Sequence, residues 1–116
     1  MHVLCALNPA AGNGLPLRRW PRIVRLLQDF GITWQLLADR EVAIGRQVAE
    51  CLRSAGCDAF SAVLGIGGDG THSAVLNALM RLRNGGEQRL PPYSLLPLGT
   101  GNDIAKSFGI RSSDLF

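Results

Sequence analysis

At 116 residues, 47% of them apolar, the chain is long enough for one compact domain with a buried core. It carries no internal repeat, low-complexity tract or linker, no signal-peptide pattern at its start, and no apolar stretch approaching the length of a bilayer span, so a soluble cytoplasmic protein is the expectation. The net charge of +3 rests on arginine, Lys106 being the only lysine, and Cys5, Cys51 and Cys57 show no Cys-x-x-Cys or Cys/His ligand spacing, which leaves out a disulfide framework and a zinc-finger type of site.

The first element is the apolar run Val3 to Leu7, which ends in the turn Asn8-Pro9-Ala10-Ala11-Gly12-Asn13-Gly14. A helical pattern follows, with Trp20, Ile23, Val24 and Leu27 at spacings of three and four. Arg18, Arg19, Arg22 and Arg25 crowd this segment. Such crowding suits an anionic membrane or a nucleic acid, but no aromatic platform or nucleic-acid motif accompanies it. It is read as a solvated helix face, and no nucleic-acid partner is expected. Thr33 to Leu37 is a second short apolar run, followed by Ala38-Asp39-Arg40. Ile44, Val48, Cys51, Leu52 and Ala55 mark the next helix, Phe60 to Leu64 the third strand, Val75, Leu76 and Leu79 the third helix, and Tyr93 to Leu96 the fourth strand. Gly31, Gly56 and Gly85 follow the three helices where a left-handed C-cap is wanted. A short fourth helix is expected from about Asn102 to Phe108, stopped by Gly109. Cys5 on a strand and Cys51 on an apolar helix face read as small hydrophobes, and His2 as a terminal surface residue.

This alternation predicts an α/β fold, a three-layer sandwich with a parallel sheet of about four strands, all of them buried, joined by right-handed crossovers. The turns after strands one, three and four are rich in glycine and the turn after strand two is not. For the three to converge, their strands must be neighbours, which gives the order 2-1-3-4. Ligands of such sheets bind beyond the carboxyl ends of the strands at the switch point, here between strands one and three.

Between the third strand and the third helix stands Gly65-Ile66-Gly67-Gly68-Asp69-Gly70-Thr71. Glycine lets the chain take positive φ and lets a ligand approach the main chain, and the first turn of the helix offers N–H groups to an anion. Phosphate is the ligand this suggests. A carboxylate in the middle of the turn repels bare polyphosphate, so Asp69 is the candidate partner of Mg²⁺, of a ribose hydroxyl or of a mobile proton. The segment also fits G-x-G-x-x-G, but the companion acid at the end of the next strand is missing: Glu87 falls in a loop and the strand end carries Pro97 and Leu98. A dinucleotide-binding Rossmann domain is therefore a poor fit to the segment. A P-loop is excluded, since no G-x-x-x-x-G-K-[ST] occurs.

The third glycine-rich turn is Pro97-Leu98-Gly99-Thr100-Gly101-Asn102-Asp103. In order and spacing, the three turns resemble the signature of the diacylglycerol kinase catalytic domain, in the superfamily that also holds sphingosine, ceramide and NAD kinases. The resemblance covers nearly the whole chain. It implies an ATP-dependent lipid kinase that uses Mg²⁺, with a lipid substrate at a membrane surface. By position it makes Asn8, Pro9 and Gly12 the first nucleotide loop, Gly67, Gly68, Asp69, Gly70 and Thr71 the phosphate loop with Asp69 as catalytic and metal-organising residue, and Gly99, Thr100, Gly101 and Asn102 the closing loop. Each has a plainer reading beside it: Asn8 capping its own turn, Thr71 as N-cap of the third helix, Asn102 as N-cap of the fourth, and Asp103 as a first-turn acid favoured by the helix dipole.

The chain departs from the family pattern in three places. Relatives commonly carry threonines and a Gly-Asp-Ala segment after strand two, where this chain has Ala38-Asp39-Arg40-Glu41 and Ile44-Gly45-Arg46. Many bacterial members have a glutamate where Ala74 stands. His72, a position often apolar or small in relatives, is read as a helix-surface residue, with an orientation into the site as the alternative. The resemblance also implies a second, β-rich domain holding much of the lipid pocket and the general base. The expectation is therefore that residues 1–116 form the nucleotide-binding domain without that second domain, that they are inactive by themselves, and that they self-associate through apolar surface the second domain would cover. A stand-alone nucleotide-binding or interaction module is the non-enzymatic alternative.

Overall fold

A computed structural model describes residues 1–87 and 89–97. The described chain runs β1 (His2–Leu7), a one-turn segment Ala11–Gly14, α1 (Leu15–Asp29), β2 (Thr33–Leu37), α2 (Ile44–Ala55), a short turn Cys57–Ala59, β3 (Ala62–Gly67), α3 (Asp69–Asn84) and β4 (Tyr93–Pro97). The four strands form one parallel sheet in the order β2-β1-β3-β4, the order read from the placement of the glycine-rich turns.

Alternation along β1 divides the core in two. Leu4 and Ala6 face α2 and α3 and pack with Val48, Leu52, Val63, Val75 and Leu79. Val3, Cys5 and Leu7 face the other way, toward Ile23 of α1, and meet Ile66 and Leu96. Period-two strand geometry thus turns one apolar run into two cores, one per layer of helices. Trp20 of α1 and Trp34 of β2 extend the second core through an edge-on contact at 6.3 Å between ring centroids. On the first side α2 and α3 approach closely at Gly45, where a Cβ would come within 2.8 Å of the Ala74 carbonyl oxygen.

Three local expectations are corrected. β2 is not buried: it ends one side of the sheet, with Thr33, Gln35 and Leu36 exposed, because only β1 pairs with it. β3 extends to Gly67 instead of stopping at Leu64, since the ladders to Leu7 and Pro97 need only backbone groups and accept glycine at no cost in pairing. Gly31 and Gly56 take positive φ after α1 and α2, but after α3 it is Gly86 (φ 108°) and not Gly85 (φ −81°) that does so, because the helix runs to Asn84 and Gly85 serves as its C-cap.

Candidate functional site at the carboxyl edge of β1 and β3

The turn after β1 is built around Asn8. Its backbone N–H donates to the Ile66 carbonyl at 3.0 Å, continuing the β1–β3 ladder by one rung. Its side chain is used at both ends: Oδ1 accepts from the Ala10 N–H at 3.1 Å, and Nδ2 donates to the Thr71 hydroxyl at 3.1 Å. Asn8 thus caps its own turn and also ties that turn to Thr71. Pro9 is buried beside it. Gly12, Asn13 and Gly14 then take φ of 50°, 55° and 83°, a left-handed passage that reverses the chain into α1. Arg18 Nη1 donates to the Asn13 carbonyl at 2.7 Å and ties this passage to the helix.

The central motif is less a loop than a strand end joined directly to a helix. Gly67 closes β3, Gly68 is the N-cap with extended φ and ψ (−97°, −168°), and Asp69, Gly70 and Thr71 form the first turn of α3. Thr71 is therefore not the N-cap. It is buried in the first turn, with its hydroxyl accepting from Asn8. The first intrahelical bond is His72 N–H to the Gly68 carbonyl at 3.1 Å, so the N–H groups of Asp69, Gly70 and Thr71 lie ahead of it at the helix's positive end.

The glycines divide into two kinds. Gly65 and Gly67 are two apart on one strand and so face the same side, toward α3. A Cβ on Gly67 would overlap the Thr71 side chain, and one on Gly65 would overlap the Tyr93 hydroxyl and come within 2.9 Å of His72 Nδ1. These two glycines let α3 lie close on β3. A Cβ on Gly70 would meet nothing within 4 Å, so packing does not require glycine there. Open space over a helix-start main chain is where an anion can approach.

His72 contradicts the surface reading: it is fully buried. Its Nδ1 lies 2.8 Å from the Tyr93 hydroxyl, and the two rings meet edge-on at 6.0 Å. Burial lowers the imidazole pKa from its ordinary value, opposed by the backbone at Gly67 and Leu96 and by the Asp69 charge, and burial also raises that of the Tyr93 phenol. Burial likewise pushes the Cys5 thiol up to about 12, which leaves it an inert core residue.

A cleft of about 420 Å³ opens on the other side of Asn8, between the turns after β1 and β2. Asn8, Pro9 and Ala10 form one wall, and Asp39, Arg40 and Glu41 belong to the other. This cleft lies toward β2, while along the β1–β3 seam Asn8 is hydrogen-bonded to Ile66 and Thr71. Gln47 shapes the second wall: its Nε2 donates to the carbonyls of Asp39 (2.9 Å) and Val42 (2.7 Å), and its Oε1 accepts from the Asp39 N–H at 3.2 Å. Sequence reasoning missed Gln47, whose only signal is a long polar side chain in the first turn of an otherwise apolar-periodic helix. Gly99, Thr100, Gly101, Asn102 and Asp103, with the expected fourth helix, lie outside the described residues. β4 ends at Pro97, in register with Gly67.

A family model for the diacylglycerol kinase catalytic domain matches residues 2–115. The chain belongs to this family. Among curated relatives of the diacylglycerol kinase domain, it is similar to "Probable lipid kinase YegS" of Salmonella arizonae, 36% identical over 107 residues that make up 92% of this chain and 33% of that protein. It is also similar to "Diacylglycerol kinase 3" of Arabidopsis thaliana, 43% identical over 60 residues, 52% of this chain and 12% of that protein. A solved diacylglycerol kinase structure from Bacillus anthracis shares the fold, with a TM-score of 0.68 at 23% identity over 96% of this chain and 36% of that one. The chain spans about a third or less of the length of these relatives.

Proposed function

We propose that this chain is the nucleotide-binding domain of an ATP-dependent lipid kinase, and that the turn Gly68–Thr71 holds the phosphates of the nucleotide. The observation that carries the reading is the Asn8–Thr71 hydrogen bond, which fixes the turn after β1 onto the first turn of α3 with Asp69 and open Gly70 beside it. Two backbone-rich turns and one carboxylate are what a Mg²⁺-nucleotide needs, and the adjoining cleft has the volume of a small-molecule site.

Among the described residues no group of three His, Cys, Asp or Glu side chains forms a metal cage. That fits Mg²⁺, which is held by one or two carboxylates together with substrate phosphates and water. Asp69 is the residue that would hold it, and the ion would offset charge on the transferred phosphoryl. The chain's own contributions are helix-start N–H groups aimed at the phosphates and a rigid seam that positions them. In the proposed reaction the bond from the bridging oxygen to the terminal phosphorus breaks, ADP leaves, and a lipid hydroxyl forms the new P–O bond as its proton passes to a general base expected, from the family resemblance, in a further domain. A lipid acceptor places the reaction at a membrane surface. The 116 residues by themselves are expected to bind nucleotide weakly and to transfer nothing, since the resemblance implies that the acceptor-lipid pocket and the general base belong to a further domain.

The test is Asp69→Asn in a longer protein carrying this domain, assayed for phosphoryl transfer from ATP to diacylglycerol. The substitution keeps shape and removes charge, and turnover should fall by at least about a hundredfold. Turnover near that of the unchanged protein would reduce Asp69 to a first-turn acid.

A further inference from the structure

Buried His72 lies one residue beyond the phosphate turn, and it and its half-buried partner Tyr93 have no part in the proposed nucleotide site. Tyr93 stands at the start of β4 and reaches over Gly65, whose missing side chain is what makes room for the hydroxyl and for His72 Nδ1. Nδ1 and the Tyr93 hydroxyl are hydrogen-bonded, with donor and acceptor set by the imidazole tautomer. Nε2 is itself buried and completes no hydrogen bond of good geometry among the described residues. The ring contact therefore joins the start of α3 to the start of β4 across Gly65 of β3.

We propose that His72 and Tyr93 form a positioning pair that fixes the start of α3 against β3 and the start of β4, and so holds the Gly68–Thr71 turn at its working distance from the strand edge. A fully buried imidazole is a poor choice for packing alone. An apolar side chain of similar size fills the same space without a desolvated N–H, whereas a polar pair specifies direction and distance. The alternative, a histidine kept only as core filling, predicts the opposite response to substitution, which makes the two separable. The consequence for ligand binding rests on the nucleotide reading; the positioning itself does not.

The experiment compares His72→Leu, His72→Gln and Tyr93→Phe by amide hydrogen exchange, with Mg-ATP titration as a second readout. The reporters are the amides of residues 72–74 and of Asn8, and the references are Leu4 and Ala6 in β1. His72→Gln keeps a hydrogen-bonding partner for the Tyr93 hydroxyl, so it should exchange like the unchanged protein. His72→Leu and Tyr93→Phe should exchange about tenfold faster at the reporters with the references unmoved, as expected when a hydrogen-bonded tether is lost locally, and should bind Mg-ATP more weakly. Core filling predicts that His72→Leu protects the reporters at least as well as His72→Gln, and that result, or a uniform change at reporters and references, overturns the proposal. Should His72→Leu not fold, Tyr93→Phe decides by the same criterion. If the unchanged protein fails to bind Mg-ATP, the nucleotide reading falls while the exchange comparison still decides the positioning role.

Discussion

At the scale of single residues, the central motif mixes two demands that a sequence shows as one. Gly67 is glycine because the Thr71 side chain occupies the place of a Cβ; Gly70 has open space. Gly67→Ala should therefore lower stability by about 1–3 kcal/mol, the usual cost of overpacking. Gly70→Ala should leave stability unchanged or raise it by up to about 1 kcal/mol through helix propensity, while weakening any ligand that approaches the main chain there. Urea unfolding of both variants beside nucleotide binding separates the two demands. His72 adds a pH dependence. Its folded-state pKa is lowered from 6.5 by burial, so the unfolded chain takes up a proton before the folded one. The contribution to stability is complete above about pH 6.5 and is lost as pH falls from there through the depressed folded value. Unfolding curves at successive pH values should show this loss in the unchanged protein and a flatter profile in His72→Gln. The Asp69 charge opposes the shift and narrows the window.

At the scale of elements, α2 and α3 hold one face of the sheet through a narrow set of side chains. Leu52 of α2 is 1% exposed and packs in the core with Val63 and Leu79, so Leu52→Ala should cost about 2–5 kcal/mol in chemical denaturation. A loss below about 1 kcal/mol would mean that the α2 face is not the core-forming layer. Elements of this kind were legible in advance. Leu4 and Ala6 against Val3, Cys5 and Leu7 is a strand pattern, and Ile44, Val48 and Leu52 a helical one, because burial selects residue type at a fixed period. The strand order was also legible, since convergence of glycine-rich turns constrains which strands are neighbours. His72 was not. A histidine at a helix start carries no mark of burial, and its partner Tyr93 stands 21 positions away, joined to it only by the β3–β4 pairing. The cleft toward β2 was hidden for the same reason: Gln47 shapes it through backbone carbonyls that any sequence would supply. Asn8 and Thr71 both stood out in the sequence as candidate site residues, but the bond between them, 63 positions apart, is a product of the parallel β1–β3 register.

At the scale of the whole molecule, the architecture concentrates its special chemistry at one edge. Parallel strands point their carboxyl ends the same way, and β1 and β3 release their turns side by side, so the first turn of a long helix faces an asparagine from the neighbouring strand. The central claim is that this edge binds the phosphates of a Mg²⁺-nucleotide. It is tested most directly by thermal unfolding of the 116-residue chain in excess Mg²⁺ with rising ATP, beside adenosine and beside Asp69→Asn. A ligand at about ten times its dissociation constant stabilises the folded state by about 1.4 kcal/mol, or several degrees for a domain of this size. Phosphate binding at this edge predicts that saturable rise with Mg-ATP, little with adenosine, and a much smaller rise in Asp69→Asn whose own unfolding temperature is close to that of the unchanged chain. No rise at millimolar Mg-ATP, or an equal rise in Asp69→Asn, would contradict it.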